Sequence, residues 1–347
     1  MRRIRWAASL LMLAALTLAA RVGHSGEDEE AVASKATCER LKNVPFPAAD
    51  QPDEALRKKL RGCRSEPLFY GIGQPADPVK ARACAYVELA AGDDEVFGGS
   101  AVLMMIYATG VGATQNLDLA IHLACELDGA PAEVEGRVAH LERLRGAKGS
   151  KVKFDLCDDV TSGLMSGHCA SHDQRMAAAK RDRRFGARLA RWTAPERAEF
   201  QRLRAAAGEF FHARSANEVD ETGTARAALQ VEEEETLEAA FGAILDELDR
   251  GTLPKATEAD LAKADKDLNA TYQRVMKATT VHWGTVTKDG IREAERKWPK
   301  YRDAWAAFVK VKYPQVDPAS IKVRVTRERT GDLEAFVGED GAKSATK

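Results

Sequence analysis

The sequence lacks the motifs of the common catalytic and nucleotide-binding sites. Its 347 residues contain no nucleophile elbow, phosphate loop, dinucleotide fingerprint or helical pair of metal-binding histidines. The glycine pairs Gly71/Gly73 and Gly110/Gly112 fall in predicted turns between helices, whereas a phosphate loop follows a strand. We therefore predict that the protein is not an enzyme and has no catalytic residues, no cofactor and no metal site.

An excess of charge of one sign is also missing. Lys and Arg together number 52 and Asp and Glu 53, which gives a net charge of -1. Such a balance lacks the basic footprint of a nucleic-acid-binding protein, so we predict no nucleic-acid partner. With 44% hydrophobic and 30% charged residues, the chain has the composition of a globular protein long enough for two domains.

The first 25 residues have the pattern of a signal peptide. Arg2, Arg3 and Arg5 precede an apolar run from Trp6 to Ala20, after which small and polar residues follow. This run is short for a membrane span, which needs about 20 residues. We predict export to the periplasm and cleavage. The alternative is an uncleaved membrane anchor, which would be the chain's one membrane contact.

The six cysteines are even in number, which favours disulfides in an exported chain. The simplest pairing joins consecutive cysteines. These pairs are Cys38 with Cys63, Cys84 with Cys125, and Cys157 with Cys169. The alternative for the last pair is a zinc site completed by His168 and His172, although the spacing matches no usual zinc pattern.

An internal repeat marks a first domain at residues 36–148, after a polar tether at 26–35. Each copy has a tyrosine near the end of its first helix and a glycine that ends this helix in the left-handed conformation. An Asp or Asn then caps the second helix, and an alanine lets the two helices approach closely. These residues are Tyr70, Gly73, Asp77 and Ala81 in the first copy and Tyr107, Gly110, Asn116 and Ala120 in the second.

This pattern, clearest from Ala101 to Leu127, resembles the Sel-one-like repeat, a relative of the tetratricopeptide repeat. The resemblance implies a helical scaffold that binds another protein, and a plain helical spacer is the alternative. An amphipathic segment from Pro131 to Arg145 would complete the repeats.

A second helical domain is predicted at residues 151–338, after a glycine hinge at 146–149 and before a disordered tail at 339–347. Thr193 to Glu196 has the sequence of a capping box with an early proline, and Thr257 is placed to cap another helix. The predicted fold is therefore all-α throughout, with disulfides joining the helices.

Residues 262–336 of this second domain contain an asparagine and a tyrosine, then a tryptophan followed by an aromatic-Arg-Asp turn. These residues are Asn269, Tyr272, Trp298, Tyr301, Arg302 and Asp303. The later Arg329, Thr330 and Leu333 complete the pattern. It resembles the LprI-like lysozyme-inhibitor family of bacterial envelope proteins, which implies a helical domain that acts by binding a protein.

Within this region the apolar residues recur at helical spacing, which favours packing against a neighbouring helix. They are Ile291, Ala294, Trp298, Tyr301, Trp305 and Phe308. We expect Arg302 to pair with Asp265 or Asn269 across two helices. The carboxylates of Asp155, Asp158, Asp159 and Glu232 to Glu235 are candidates for an acidic contact surface.

From the sequence we predict a non-enzymatic periplasmic binding protein that inhibits lysozyme by surface contact. The alternative is an envelope scaffold that uses its helical repeats to hold another protein and has no effect on lysozyme.

Overall fold

The computed structural model describes residues 31–92, 95–146, 152–279 and 283–337. The predicted signal peptide and the predicted tail lie outside these residues, as do positions 147–149 of the hinge. Within the described ranges the chain is helical and contains no β-strand, which confirms the predicted all-α class. No helix of these ranges combines the length and apolarity needed to cross a bilayer.

The chain divides into two compact units, residues 1–165 and 166–347. The described part of the first unit begins in a helix, α1, at residues 31–41, so the positions 31–35 of the predicted tether are already helical. The helices that follow are α2 (Glu54–Lys59), α3 (Ser65–Tyr70), α4 (Pro78–Ala91), α5 (Gly99–Thr109), α6 (Leu117–Glu126) and α7 (Pro131–Leu144). Short 3-10 helices lie at Ala48–Asp50 and Leu156–Asp159.

Helices α3 to α7 pack in chain order, each against the next. Helix α5 is apolar on all sides, and its residues from Ala101 to Ala108 are at most 1% exposed. Gly99, at the start of α5, lies against α4. A Cβ atom there would come within 2.5 Å of the Ala85 carbonyl oxygen and 2.7 Å of the Leu89 nitrogen. Helix α5 is therefore the centre of this unit, and the close approach at its start requires glycine.

The repeat residues have the predicted roles with one correction. Asp77 and Asn116 each cap the following helix by accepting a hydrogen bond from the third backbone N–H along, at 3.0 and 3.1 Å. Gly110 ends α5 in the left-handed conformation, with φ of 74°. Gly71, not the predicted Gly73, does the same for α3, because that helix already ends at Tyr70. Gly73 adopts positive φ in the loop beyond.

All six cysteines are disulfide-bonded, but the predicted pairing of consecutive cysteines is wrong in the first unit. Cys38 pairs with Cys125, and Cys63 pairs with Cys84. The reason is that α1 lies beside the end of the repeat, where Arg40 reaches Glu142 of α7 at 2.9 Å. Cys38 of α1 therefore meets α6 and not the α2–α3 turn.

Cys157 and Cys169 are also disulfide-bonded. A zinc site with His168 and His172 would need both sulfurs as thiolates, so the bonded state removes two of its four ligands. Within the residues described here, no group of three or more His, Cys, Asp or Glu side chains is arranged to hold a metal ion.

The second unit is a helical bundle around an aromatic core. Its helices are α8 (Gly163–Leu189, which begins at the end of the first unit), α9 (Ala194–Asn217), α10 (Arg226–Arg250), α11 (Glu258–Lys277), α12 (Lys288–Lys312) and α13 (Pro318–Glu334). Helix α12 packs on α9 and α13, α11 packs on α13, and α9 packs on α10. Thr193 forms the predicted capping box at the start of α9, and Thr257 caps α11 as predicted, where the structure adds a capping box with Asp260. Helix α12 continues through Pro299 without interruption.

Candidate functional site

The aromatic residues of the motif on α12 lie in the core. Trp298 is 3% exposed and Tyr301 is 6% exposed. The ring of Tyr301 stacks on Phe210 of α9 with centroids 5.2 Å apart, and Trp298 lies 5.8 Å from the same ring. Burial raises the pKa of the Tyr301 hydroxyl above its ordinary value. These side chains therefore hold α12 against α9 and cannot reach a partner.

The polar residues of the motif divide between internal pairs and the surface. Arg302 donates from Nη1 to Asp265 Oδ1 at 2.8 Å, which is the predicted pair across α12 and α11. Asp303 lies 3.1 Å from Lys322 Nζ of α13. The alternative partner, Asn269, is exposed, and its side chain makes no hydrogen bond to any residue that the structure describes.

Arg329 of α13 joins three helices from inside the bundle. It is 1% exposed and donates to both carboxylate oxygens of Glu218, at 2.5 and 2.7 Å, and to Glu295 Oε1 at 2.6 Å. Burial alone would lower the pKa of Arg329, but the hydrogen bonds and charges of these carboxylates outweigh it and raise the pKa. The guanidinium therefore stays charged and fixes α13 to α12 and to the end of α9.

Arg329 only partly offsets the effect of burial on the pKa of the neighbouring carboxylates. Burial raises the pKa of Asp332 to about 6, although Arg214 and Arg329 lower it. Burial likewise raises the pKa of Glu295 against the effect of Arg329. The adjoining cavity has a volume of about 20 Å³, which accommodates a single water and no substrate. This ionic cluster is consequently a structural element. Sequence reasoning missed it, because Glu218 and Arg329 are far apart in the chain.

Helix α11 presents a row of exposed polar side chains to solvent. Lys266, Asn269, Gln273 and Lys277 follow one another in steps of three or four residues and therefore share one face of the helix. We call this row the outer face of α11. Its length is about 16 Å at the rise of an α-helix. The opposite face, which carries Leu261, Leu268 and Val275, is buried.

The outer face of α11 differs in its pairing from the exposed surface of the first half of α12. Within the described residues, none of its four side chains makes a hydrogen bond or an ion pair. On α12, by contrast, Arg292 and Arg296 pair with acidic residues one turn before them, and Lys300 Nζ lies 2.9 Å from Glu209 of α9. The side chains on α11 are thus available to another molecule.

Most side chains of the predicted acidic contact surface pair with other residues of this protein. In the first unit, Asp155 accepts a hydrogen bond from the Tyr70 hydroxyl at 2.7 Å, and Asp159 lies 3.0 Å from His140. In the second unit, the side chains of Glu233, Glu234 and Glu235 contact Arg214, Ser215 and Arg181. Of the seven predicted acidic residues, Asp158 and Glu232 are exposed. The geometry therefore does not support an acidic face as the contact surface.

Comparison with known proteins matches part of the chain to a family. No curated protein and no solved structure matches. Residues 250–333 match the model of the family described as Lysozyme inhibitor LprI. This range covers about a quarter of the chain and contains α11, α12 and most of α13, so it overlaps the predicted region 262–336. Residues 250–333 are thus a domain similar to the lysozyme inhibitor LprI family, and the outer face of α11 lies within it.

Proposed function

We propose that this protein binds another protein through the outer face of α11, and that the partner is a lysozyme whose activity it inhibits. The observation that carries the proposal is the position of this free polar row inside the range that matches the inhibitor family. The buried residues of the same motif hold the bundle together, which leaves the exposed ones for contact with a partner.

The chemistry of a glycosidase cleft fits this surface. Most glycosidases use two carboxylates on either side of the scissile bond. The ammonium groups of Lys266 and Lys277 and the side-chain amides of Asn269 and Gln273 are donors that would pair with such carboxylates. In residues 250–333, Lys and Arg number 18 and Asp and Glu 11. The matched range is therefore complementary in charge to an acidic cleft, and not to a cationic enzyme surface.

We infer an extracytoplasmic location, and specifically the periplasm. All six cysteines are disulfide-bonded, and disulfides persist in oxidising compartments. The predicted signal peptide would deliver the chain there. A binding role without catalysis agrees with the match to an inhibitor family.

A turbidity assay with purified mature protein, disulfides intact, tests the proposal. Lysozyme and bacterial cell walls are mixed with increasing protein, and we expect clearing to stop near a one-to-one ratio of protein to lysozyme. No protection at a tenfold excess of protein would contradict inhibition. Clearing of the cell walls without lysozyme would contradict a non-enzymatic role.

A second candidate is an envelope scaffold built on Sel-one-like repeats in the first unit. It is favoured by the matching roles of the two repeat tyrosines. Tyr70 donates to Asp155 at 2.7 Å and Tyr107 donates to Asp50 at 3.0 Å, so each holds an aspartate from outside the helix pairs. Crosslinking in intact cells, with a partner captured by the first unit and no protection of cell walls from lysozyme, would favour the scaffold.

A further inference from the structure

A cluster of positive charge in the first unit has no role in the proposed inhibition. Residues 57–64 contain five Lys and Arg and no acidic residue. Part of this stretch lines a surface pocket of about 370 Å³. This pocket, which we call the basic pocket, is lined by four cationic side chains. These side chains are Lys59, Arg61, Arg64 and Lys80.

The turn that forms one wall of the basic pocket is fixed at both ends. Leu60 is 5% exposed, and Cys63 is bonded to Cys84, which is fully buried in α4. Between them Gly62 adopts φ of 73°, and the Cys63 N–H donates to the Leu60 carbonyl oxygen at 3.0 Å. Arg61 therefore extends from a backbone that needs no ordering when a ligand binds.

Three of the four cations are free to bind an anion. Arg64 is held by Glu95, with Nη2 3.1 Å from Oε2. Lys59, Arg61 and Lys80 are exposed and make no ion pair with any residue in the described ranges. Elsewhere in this unit, Arg82 pairs with Asp50 and Arg145 pairs with Asp118. The basic pocket thus holds three cations that lack the acidic partners these two arginines have.

Helix stability does not explain this arrangement. Lys59 lies in the last turn of α2, where the helix dipole favours a cation. Lys80, however, lies in the first turn of α4, where the dipole disfavours one. Arg61 lies beyond the end of α2, in the turn. Lys80 therefore gains nothing from the helix that carries it, and an anionic ligand would stabilise its charge.

We propose that the basic pocket binds a short acidic segment of a partner protein. Neighbouring carboxylates of the segment pair with Lys59, Arg61 and Lys80. The volume is that of a small-ligand site. The cations line a single pocket, which suits a few side chains of a peptide, whereas a long polyanion needs a row of charges along a track.

Fluorescence anisotropy with the full mature protein tests this site. The probe is a labelled peptide with four consecutive glutamates beside a leucine, and the same peptide with glutamines is the uncharged control. The variant carries Lys59→Glu, Arg61→Glu and Lys80→Glu. The matched control carries Lys180→Glu, Arg191→Glu and Arg226→Glu, which make the same change in charge at exposed positions of the second unit outside residues 250–333. Circular dichroism verifies that both variants are folded.

We expect the acidic peptide to bind the wild type and the matched control equally, and the pocket variant at least about 10-fold more weakly. Binding weakens as salt increases. Equal binding to both variants, or equal binding of the glutamate and glutamine peptides, would overturn the proposal. So would displacement of the peptide by polyphosphate at concentrations below the dissociation constant of the peptide, since the pocket would then prefer a polymer. Lysozyme inhibition stays unchanged in both variants, so the two proposals fail separately.

Discussion

Replacing Arg329 with methionine tests the ionic cluster that joins α13 to the rest of the second unit. Glu218 is the main partner, and its side chain is 2% exposed, so the change removes one of the two cations that contact this buried carboxylate and leaves Arg214 Nε at 3.4 Å. Removal of one member of a buried ion pair costs about 3–5 kcal/mol in the free energy of unfolding. For a unit of this size, that loss lowers the melting temperature by about 6–20 °C.

Urea unfolding followed by tryptophan fluorescence measures this loss. All tryptophans other than Trp6 lie in the second unit, so the signal reports on that unit. The matched control is Arg327→Met, an exposed neighbour on α13, which we expect to change stability by less than about 0.5 kcal/mol. Adding Glu218→Gln to Arg329→Met restores part of the loss. A loss below about 1 kcal/mol, or no rescue by the second change, would refute the assignment of Arg329 as the buried connector.

Three further predictions concern a carboxylate, a disulfide and a glycine. Asp332 binds its proton more tightly in the folded protein, with a pKa of about 6 against 3.8, so its contribution to stability falls as pH rises through this window. Asp332→Asn removes this pH dependence. Unfolding titrations between pH 4 and 7 measure it, and it amounts to at most about 3 kcal/mol in the free energy of unfolding. Replacing Cys38 and Cys125 with alanine lowers the free energy of chemical unfolding by about 4–5 kcal/mol, since their disulfide spans 87 residues. Peptide mapping that found a different partner for Cys38 would contradict the fold. Gly99→Ala destabilises the first unit by about 1–3 kcal/mol in thermal melts, whereas Gly208→Ala, where an added Cβ meets nothing within 4 Å, is neutral or stabilising.

Local signals in the sequence predicted the ends of many helices. Asp77, Asn116, Thr193 and Thr257 all cap helices as expected, because a cap depends on residues within one turn of itself. The pair of Arg302 with Asp265 was also foreseeable, since the periodic apolar residues set which faces of α11 and α12 are turned inward.

Contacts between distant residues could not be predicted in the same way. The pairing of Cys38 with Cys125 depends on the path of α1 beside the last helices of the repeat. The contact of Arg329 with Glu218 depends on how α9, α12 and α13 meet. The prediction of an acidic surface was wrong for a related reason. A run of glutamates in the sequence shows that charge is present but does not show which residues pair with it. On α10, Glu235 pairs with Arg181 and Glu233 pairs with Arg214.

The central claim is that the outer face of α11 contacts lysozyme, and inhibition by a surface variant tests it most directly. The variant carries Lys266→Ala, Asn269→Ala and Gln273→Ala, exposed helix positions where alanine does not weaken the helix. The matched control changes the same residue types elsewhere, with Lys310→Ala, Asn43→Ala and Gln201→Ala. In the turbidity assay we predict that the control inhibits lysozyme as the wild type does and that the α11 variant needs at least about 10-fold more protein. Equal inhibition by the two variants would contradict the claim.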